Sequence, residues 1–411
     1  MTSDIGDNEV IIVGGGMVGA TLACLLGQAG VPVMLLDAAA SSVNAETAGR
    51  GPADLRVSAL TPVSQRLLDG LDVWPSMRER RVTPYRRMRV WDGQGTGEVS
   101  FSADQAGLPV LGHIVENDVV VAALDARLAA LPTVRRRFAA RVAGLEMPDD
   151  DPVLCLENGE RLRAPLVVAA DGARSPLREM AGIETRSDDT GQVALVTSVR
   201  TERPHGGVAR QAFLADGPLA FLPLTLEGDE RHCSIVWSTS PIEAERLAAL
   251  SPASLGAELE AGIGACLGRV TPTDRAVCLP LAQRHAERYT LPGLALVGDA
   301  AHSIHPLAGQ GANLGMMDVA VLAEELLSAR RRGIALGDEA WLTRYARRRR
   351  GDNAAMLRLM DAFRLLFGTR HPALTLARNL GLSGVDRLGP VKRLLMQQAS
   401  GQRGRLPAAC R

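Results

Sequence analysis

Three separated stretches of this chain carry residue types whose spacing suits a grip on a phosphate-rich dinucleotide. In the first, Gly14, Gly16 and Gly19 follow the apolar run Val10–Val13 at G-x-G-x-x-G spacing. The first glycine permits a tight turn, the second lets backbone approach a pyrophosphate, and the third lets the next helix pack on the strand. The opening N–H groups of such a helix lack partners and carry the positive end of its dipole. Asp37 ends the following apolar run, 18 residues past Gly19. That is close to the ~20-residue spacing of a carboxylate that holds an adenosine ribose. In the second stretch Asp171-Gly172 follows Val167–Ala170, and in the third Gly298-Asp299 follows Leu294–Val297.

Beyond the third stretch, Leu307-Ala308-Gly309-Gln310-Gly311-Ala312-Asn313 opens another helix. Small residues there let bare backbone come close to a flat ring, and a helix N-terminus would stabilise a negatively charged reduced flavin. A glycine motif alone serves NAD or FAD; the three stretches in this order point to FAD.

These residues need a scaffold. Val10–Val13 reads as a buried parallel strand, Met17 to Gln28 as a helix stopped near Gly30, and Val31–Leu36 as a second strand. Arg86–Trp91 and Glu98–Phe101 alternate as antiparallel strands, and Asn158-Gly159 marks a hairpin. Strands at 193–199, 208–213, 219–224 and 232–237 suggest a second sheet, 242–267 a helical stretch, and the chain beyond Glu339 further helix. The expected organisation is a discontinuous cofactor domain (1–75, 102–185 and 275–340). A β-rich substrate domain (76–101 and 186–274) is inserted into it, and a helical region (341–411) follows.

The 411 residues suffice for two lobes. Formal charge is zero, which offers no general attraction to nucleic acid. All basic residues except Lys392 are arginine. The six cysteines show no C-x-x-C spacing and read as reduced core residues, so a cytoplasmic location is expected. No apolar run approaches the ~20 residues needed to span a bilayer. His302 and His305 are three apart but have no third ligand, so no metal is expected.

In these stretches the chain resembles the group A flavoprotein monooxygenases, which share the α/β fold of para-hydroxybenzoate hydroxylase. Within them it is similar to the ubiquinone-biosynthesis hydroxylases. The resemblance covers nearly the whole chain. It is carried by Asp54–Ala59, Leu111–Asn117, Gly217–Leu224, Cys233–Ser238 and, above all, Gly298–Gly315. Leu111–Asn117 with Val208–Gln211 looks closest to the 2-octaprenylphenol hydroxylase branch, which performs the first ring hydroxylation.

The resemblance implies roles for particular residues. Gly14, Gly16, Gly19 and Asp37 match ADP-binding positions, although the family more often has Glu where Asp37 stands. Arg56 matches an arginine that approaches the flavin phosphates or ring, and Asn117 a cofactor-facing position held by Arg or Gln in other branches. Asp171 matches an aspartate linked to both FAD and NAD(P)H, and Asp299 the ribityl-binding aspartate. Gly311, Ala312 and Asn313 match backbone facing the pyrimidine end of the flavin, with His305, Pro306 and Gly309 as flavin-side candidates. No catalytic acid–base pair is assigned.

The implied reaction uses FAD, NAD(P)H and O2 to hydroxylate a polyprenyl phenol through a flavin C4a-hydroperoxide. Hydroxylation of another ring position, or a non-catalytic FAD-binding subunit of a quinone-synthesis complex, are the alternatives. Partner proteins of the pathway, peripheral contact with the inner membrane and homo-oligomerisation stay open. The greasy tail calls for an apolar channel, for which Leu219–Leu224 is a candidate wall beside the plainer reading of sheet core. Arg347–Arg350 reads as a solvated helix end in preference to a lipid site.

Overall fold

A computed structural model describes residues 9–93, 95–148, 151–303, 311–368, 396, 400–402 and 405–411. A six-stranded sheet takes the order 290–291, 294–296, 166–169, 10–13, 33–36, 134–137, parallel apart from its first strand. Val10–Val13 and Leu166–Ala169 lie at its centre and are buried throughout. Covered on both faces, such strands read as unbroken apolar runs rather than alternating ones. Met17–Gln28 packs between this sheet and the long helix Gly311–Arg331. The second strand is shorter than expected, Val33–Leu36. Pro32 cannot donate to a ladder; its carbonyl instead accepts from the N–H groups of Glu9 and Val10.

A nine-stranded sheet forms the second layer. Its strands run in the order 302–303, 277–286, 185–201, 229–239, 217–226, 208–214, 87–92, 98–102, and 270–272 also pairs with 185–201. One face packs Leu195, Leu219, Phe221, Ile235 and Trp237 against Leu247, Leu255 and Leu259. These leucines belong to two helices, Pro241–Ala248 and Pro252–Gly262, so the single helical stretch expected at 242–267 is broken. Ser251 causes the break: its Oγ accepts from the Ser254 N–H and caps the second helix, with Pro252 in its first turn.

The β-rich part drawn from the sequence ends at residue 274, but the strand pairing does not. Val277–Ala286 runs antiparallel along Thr185–Thr201, and His302–Ser303 adds to its edge. A small sheet of Val57–Leu60, Gly112–Glu116 and Thr83–Tyr85 sits beside the seam between the layers. There Leu224 packs against Ala53, Ala59 and Ile114. At the C-terminal side, Glu339–Gly368 packs on Gly311–Arg331. Among the described residues, no helix is long and apolar enough to cross a membrane.

Candidate functional site

The three motifs converge at the carboxyl ends of the central strands. Gly14 has φ +110°, and a Cβ there would lie 2.2 Å from the Ala170 carbonyl oxygen, immediately before Asp171. A Cβ on Gly19 would lie 2.0 Å from the Gly14 oxygen. On Gly315 it would meet Val18 at 2.6 Å and the Gly298 Cα at 3.2 Å. Glycine is therefore required where backbones touch. Gly16 differs: a Cβ there would meet nothing within 4 Å. The space beside it is open, and the helix behind it has neither a side-chain cap nor an acid in its first turn. Its free N–H groups suit an anion.

Asp37 is half-buried, and its Oδ2 accepts from the Gly15 N–H at 2.7 Å while Oδ1 accepts from the Ala39 N–H at 2.7 Å. The short acid is thus tied to the glycine turn. Asp171 Oδ2 accepts from the Leu177 N–H at 3.1 Å, whereas its buried Oδ1 has no partner. Burial pushes the Asp171 carboxyl above the ordinary carboxylate range against several hydrogen bonds that pull it down. Nearby, Arg178 donates to the Ala300 and Ala173 carbonyls, and Arg284 also donates to Ala173.

Asp299 occupies a tight helical turn, 298–300, entered through Gly298 at φ +57°. Its side chain is open to solvent, yet enclosing protein raises its carboxyl, with the charges of His302 and Arg56 opposing the rise. Arg56 is exposed on the same side, its carbonyl accepting from the Asn117 N–H at 2.9 Å. Asn117 Oδ1 in turn accepts from Ser58 Oγ at 2.8 Å. Behind them Glu116 pairs with Arg81 at 3.0 Å and accepts the Asp54 N–H at 2.5 Å, which anchors the loop carrying Arg56.

Gly311, Ala312 and Asn313 belong to the helix Gly311–Arg331. The Asn313 side chain ties this helix to the segment 59–64. Its Oδ1 accepts from the Thr61 N–H and from Ser64 Oγ, and its Nδ2 donates to the Ala59 carbonyl. His305, Pro306 and Gly309 lie outside the described residues.

Sequence reasoning missed a buried polar cluster behind Asp299. Asp318 is fully buried and accepts from the Gly298 N–H, His302, Arg349 and Asn353. Burial raises its carboxyl, but the charges and hydrogen bonds of His302 and Arg349 outweigh this and hold it at about 2. Asn353 also donates to Tyr289, whose hydroxyl meets His285 at 3.0 Å. A lone acid inside the apolar run Met316–Leu322 was the available signal, because a buried charge demands partners. The Arg347–Arg350 run needs correction on the same ground: Arg347 and Arg350 are exposed, but Arg349 is buried on Asp318. His302 is committed to Asp318, and among the described residues no group of three metal-ligating side chains occurs.

Comparison with known proteins agrees with this geometry. The family described as "FAD binding domain" matches residues 7–359. The p-nitrophenol 4-monooxygenase PnpA from Pseudomonas putida superposes with TM-score 0.76 at 22% identity, covering 97% of this chain and 99% of that one. Pseudomonas aeruginosa PqsL, solved with 2-aminobenzoylacetate, gives 0.75 at 24%, covering 92% and 99%. The fold and family define an FAD-dependent monooxygenase of the para-hydroxybenzoate hydroxylase type, for which NAD(P)H and O2 are the usual co-substrates.

Among curated relatives, the 3-demethoxyubiquinol 3-hydroxylase of Escherichia coli is 42% identical over 393 residues, covering 96% of this chain and 98% of that one. The ubiquinone hydroxylase UbiL of Rhodospirillum rubrum is 40% identical, covering 96% and 89%. The human ubiquinone biosynthesis monooxygenase COQ6 is 32% identical, covering 95% and 92%. The chain belongs to the FAD-dependent hydroxylases of ubiquinone biosynthesis.

Proposed function

We propose that this chain hydroxylates the ring of a polyprenylated quinol at the position served by 3-demethoxyubiquinol 3-hydroxylase. The 42% identity along almost the full length of both chains is the observation that carries this reading. The sequence stretches 111–117 and 208–211 instead favoured the first hydroxylation, on 2-octaprenylphenol. That reading stands second because it rests on two short segments.

The site residues present fit FAD. In this proposal the N–H groups behind Gly16 receive the pyrophosphate in the space that glycine leaves open. Asp37, held by Gly15 and Ala39, offers its remaining lone pairs to the ribose. Asp299 accepts from the ribityl hydroxyls, and the unpaired Oδ1 of Asp171 awaits a donor from the cofactor side. Arg56 supplies positive charge at the rim, and Asn117 holds the Arg56 backbone. The first turn at Gly311–Asn313 presents its N–H groups to the ring, clamped by Asn313 to Ala59 and Thr61. When bound, FAD supplies hydride acceptance from NAD(P)H and oxygen activation.

The rest of the chain orients the guest and keeps it dry. Paired residues across antiparallel strands share a face. Val277, Val196, Val236 and Ala220 therefore form one apolar row on the side away from the helices, with Leu279 and Ala194 beside it. Val277 and Leu279 are exposed, at 37% and 38%, as befits groups that receive hydrocarbon. Gln211, buried next to Ala220, brings a polar group to the same face. Leu219–Leu224 divides accordingly: Leu219 and Phe221 belong to the helix-side core, and Ala220 and Leu222 face the row.

Complementation of strains lacking each ubiquinone hydroxylase tests the assignment. Rescue of the strain that accumulates demethoxyubiquinol, followed by mass spectrometry, is the expected result. Rescue only of the strain blocked at octaprenylphenol would move the enzyme to the first step. No rescue would remove it from the pathway.

A further inference from the structure

The helices Gly311–Arg331 and Glu339–Gly368 and the segment 405–411 line a cleft of about 730 Å³. Arg331, Arg344, Arg347, Arg348, Arg405 and Arg411 line it, against only Glu324 and Glu325. The two carboxylates are already engaged. Arg348 Nη1 lies 2.9 Å from Glu324 and 2.8 Å from Glu325, and Arg344 Nε lies 2.8 Å from Glu325. Glu324 also accepts the Ala408 N–H at 2.8 Å.

Among the described residues, no carboxylate pairs with Arg331, Arg347 or Arg405. Arg348 Nη2 is buried without any hydrogen-bond partner. A whole-chain charge of zero makes this excess local. Arg344, Arg347 and Arg348 share one helical face, where like charges three and four residues apart repel. Guanidinium forks held in a concavity match the paired oxygens of a phosphoryl group.

We propose that this cleft binds a phosphoryl oxyanion, carried either by an acidic phospholipid headgroup or by a soluble phosphate compound. The cleft adjoins, through Arg348 and Arg405, the pocket lined by Thr61 and Asn313, and the proposal does not depend on which quinol is hydroxylated.

The test uses FAD-loaded protein, so that the pyrophosphate cradle beside Gly16 is filled. One arm measures calorimetric binding of inorganic phosphate and pyrophosphate. The other measures sedimentation with phosphatidylglycerol vesicles against phosphatidylcholine vesicles. The double variant Arg347→Gln/Arg405→Gln is compared with Arg203→Gln/Arg275→Gln, which removes the same charge from exposed positions on the β-rich layer. Expected is saturable, salt-sensitive binding, weakened at least about tenfold by the first pair and unchanged by the second. Vesicle binding in excess of phosphatidylcholine identifies the headgroup as the source; binding of the soluble anions alone identifies a free phosphate compound. Absence of binding in both arms, equal loss in both double variants, or equally tight binding of polyglutamate would overturn the proposal.

Discussion

Asp318 Oδ2 lies 2.5 Å from His302 Nε2, and both side chains are essentially removed from water. The pair joins the helix Gly311–Arg331 to the motif that carries Asp299, while Arg349 reaches the other oxygen of the same carboxylate at 2.7 Å. An isolated carboxylate in such an interior would cost several kcal/mol. With its partners it fixes the Gly298–Ser303 turn. Asp318→Asn should leave the buried Arg349 guanidinium and the His302 ring underpaired and destabilise the fold by about 3–5 kcal/mol, read by denaturant unfolding of the flavin-free protein. A loss below about 1 kcal/mol would refute this role.

The same carboxylate sets an acid limit. Its pKa in the fold, about 2, lies below the ordinary value of 3.8. A depressed carboxylate stabilises the fold above its unfolded pKa, and that contribution disappears as pH falls through the folded one. The wild type should therefore lose stability between roughly pH 4 and pH 2 more steeply than Asp318→Asn, which has no proton to gain there. An equal fall in stability with pH in the two proteins would refute this role for Asp318.

Gly16 and Gly19 should separate binding from folding. A Cβ at Gly16 enters open space, so Gly16→Ala should melt like the wild type without flavin but bind FAD at least about tenfold more weakly. A Cβ at Gly19 would lie 2.0 Å from a backbone oxygen, so Gly19→Ala should lose stability first. Flavin titration and thermal melts of both variants provide the comparison.

Asp299 should act as an acceptor. Asp299→Ala should weaken FAD binding by about tenfold, the worth of one or two hydrogen bonds, and Asp299→Asn should recover part of the loss. Because enclosure raises its carboxyl, wild-type affinity should fall on the acid side starting from a higher pH than an ordinary aspartate would give. Unchanged affinity in Asp299→Ala would place the ribityl chain elsewhere.

The exposed row on the large sheet makes a kinetic prediction. Leu279→Arg should raise KM for long-tailed quinols by about tenfold, since covering an exposed leucine with hydrocarbon contributes up to about 1.5–3 kcal/mol, and leave KM for a tailless ring analogue unchanged. Equal effects on both substrates would show that the row does not meet the tail.

The parts of this site that are local in the chain were readable in advance. The Met17–Gln28 helix has the expected bounds because glycines stand on both sides of it. The hairpin at Asn158-Gly159 and the pair 87–92 with 98–102 also follow local turn chemistry and alternation. What escaped the reading depends on distant partners. Arg349 looks like its exposed neighbours until the helix packing places it on Asp318, 31 residues earlier. Val277–Ala286 could be joined to the large sheet only through its register with Thr185–Thr201, and no local pattern encodes that pairing.

That register has a mechanical consequence. His285 on the long strand stands opposite His302, three residues beyond Asp299. The wall proposed to carry the hydrocarbon guest and the turn proposed to hold the prosthetic group are therefore sewn together by two ladder pairs, Arg284 with Ser303 and His285 with His302. Displacing either one strains the ladder pairs they share.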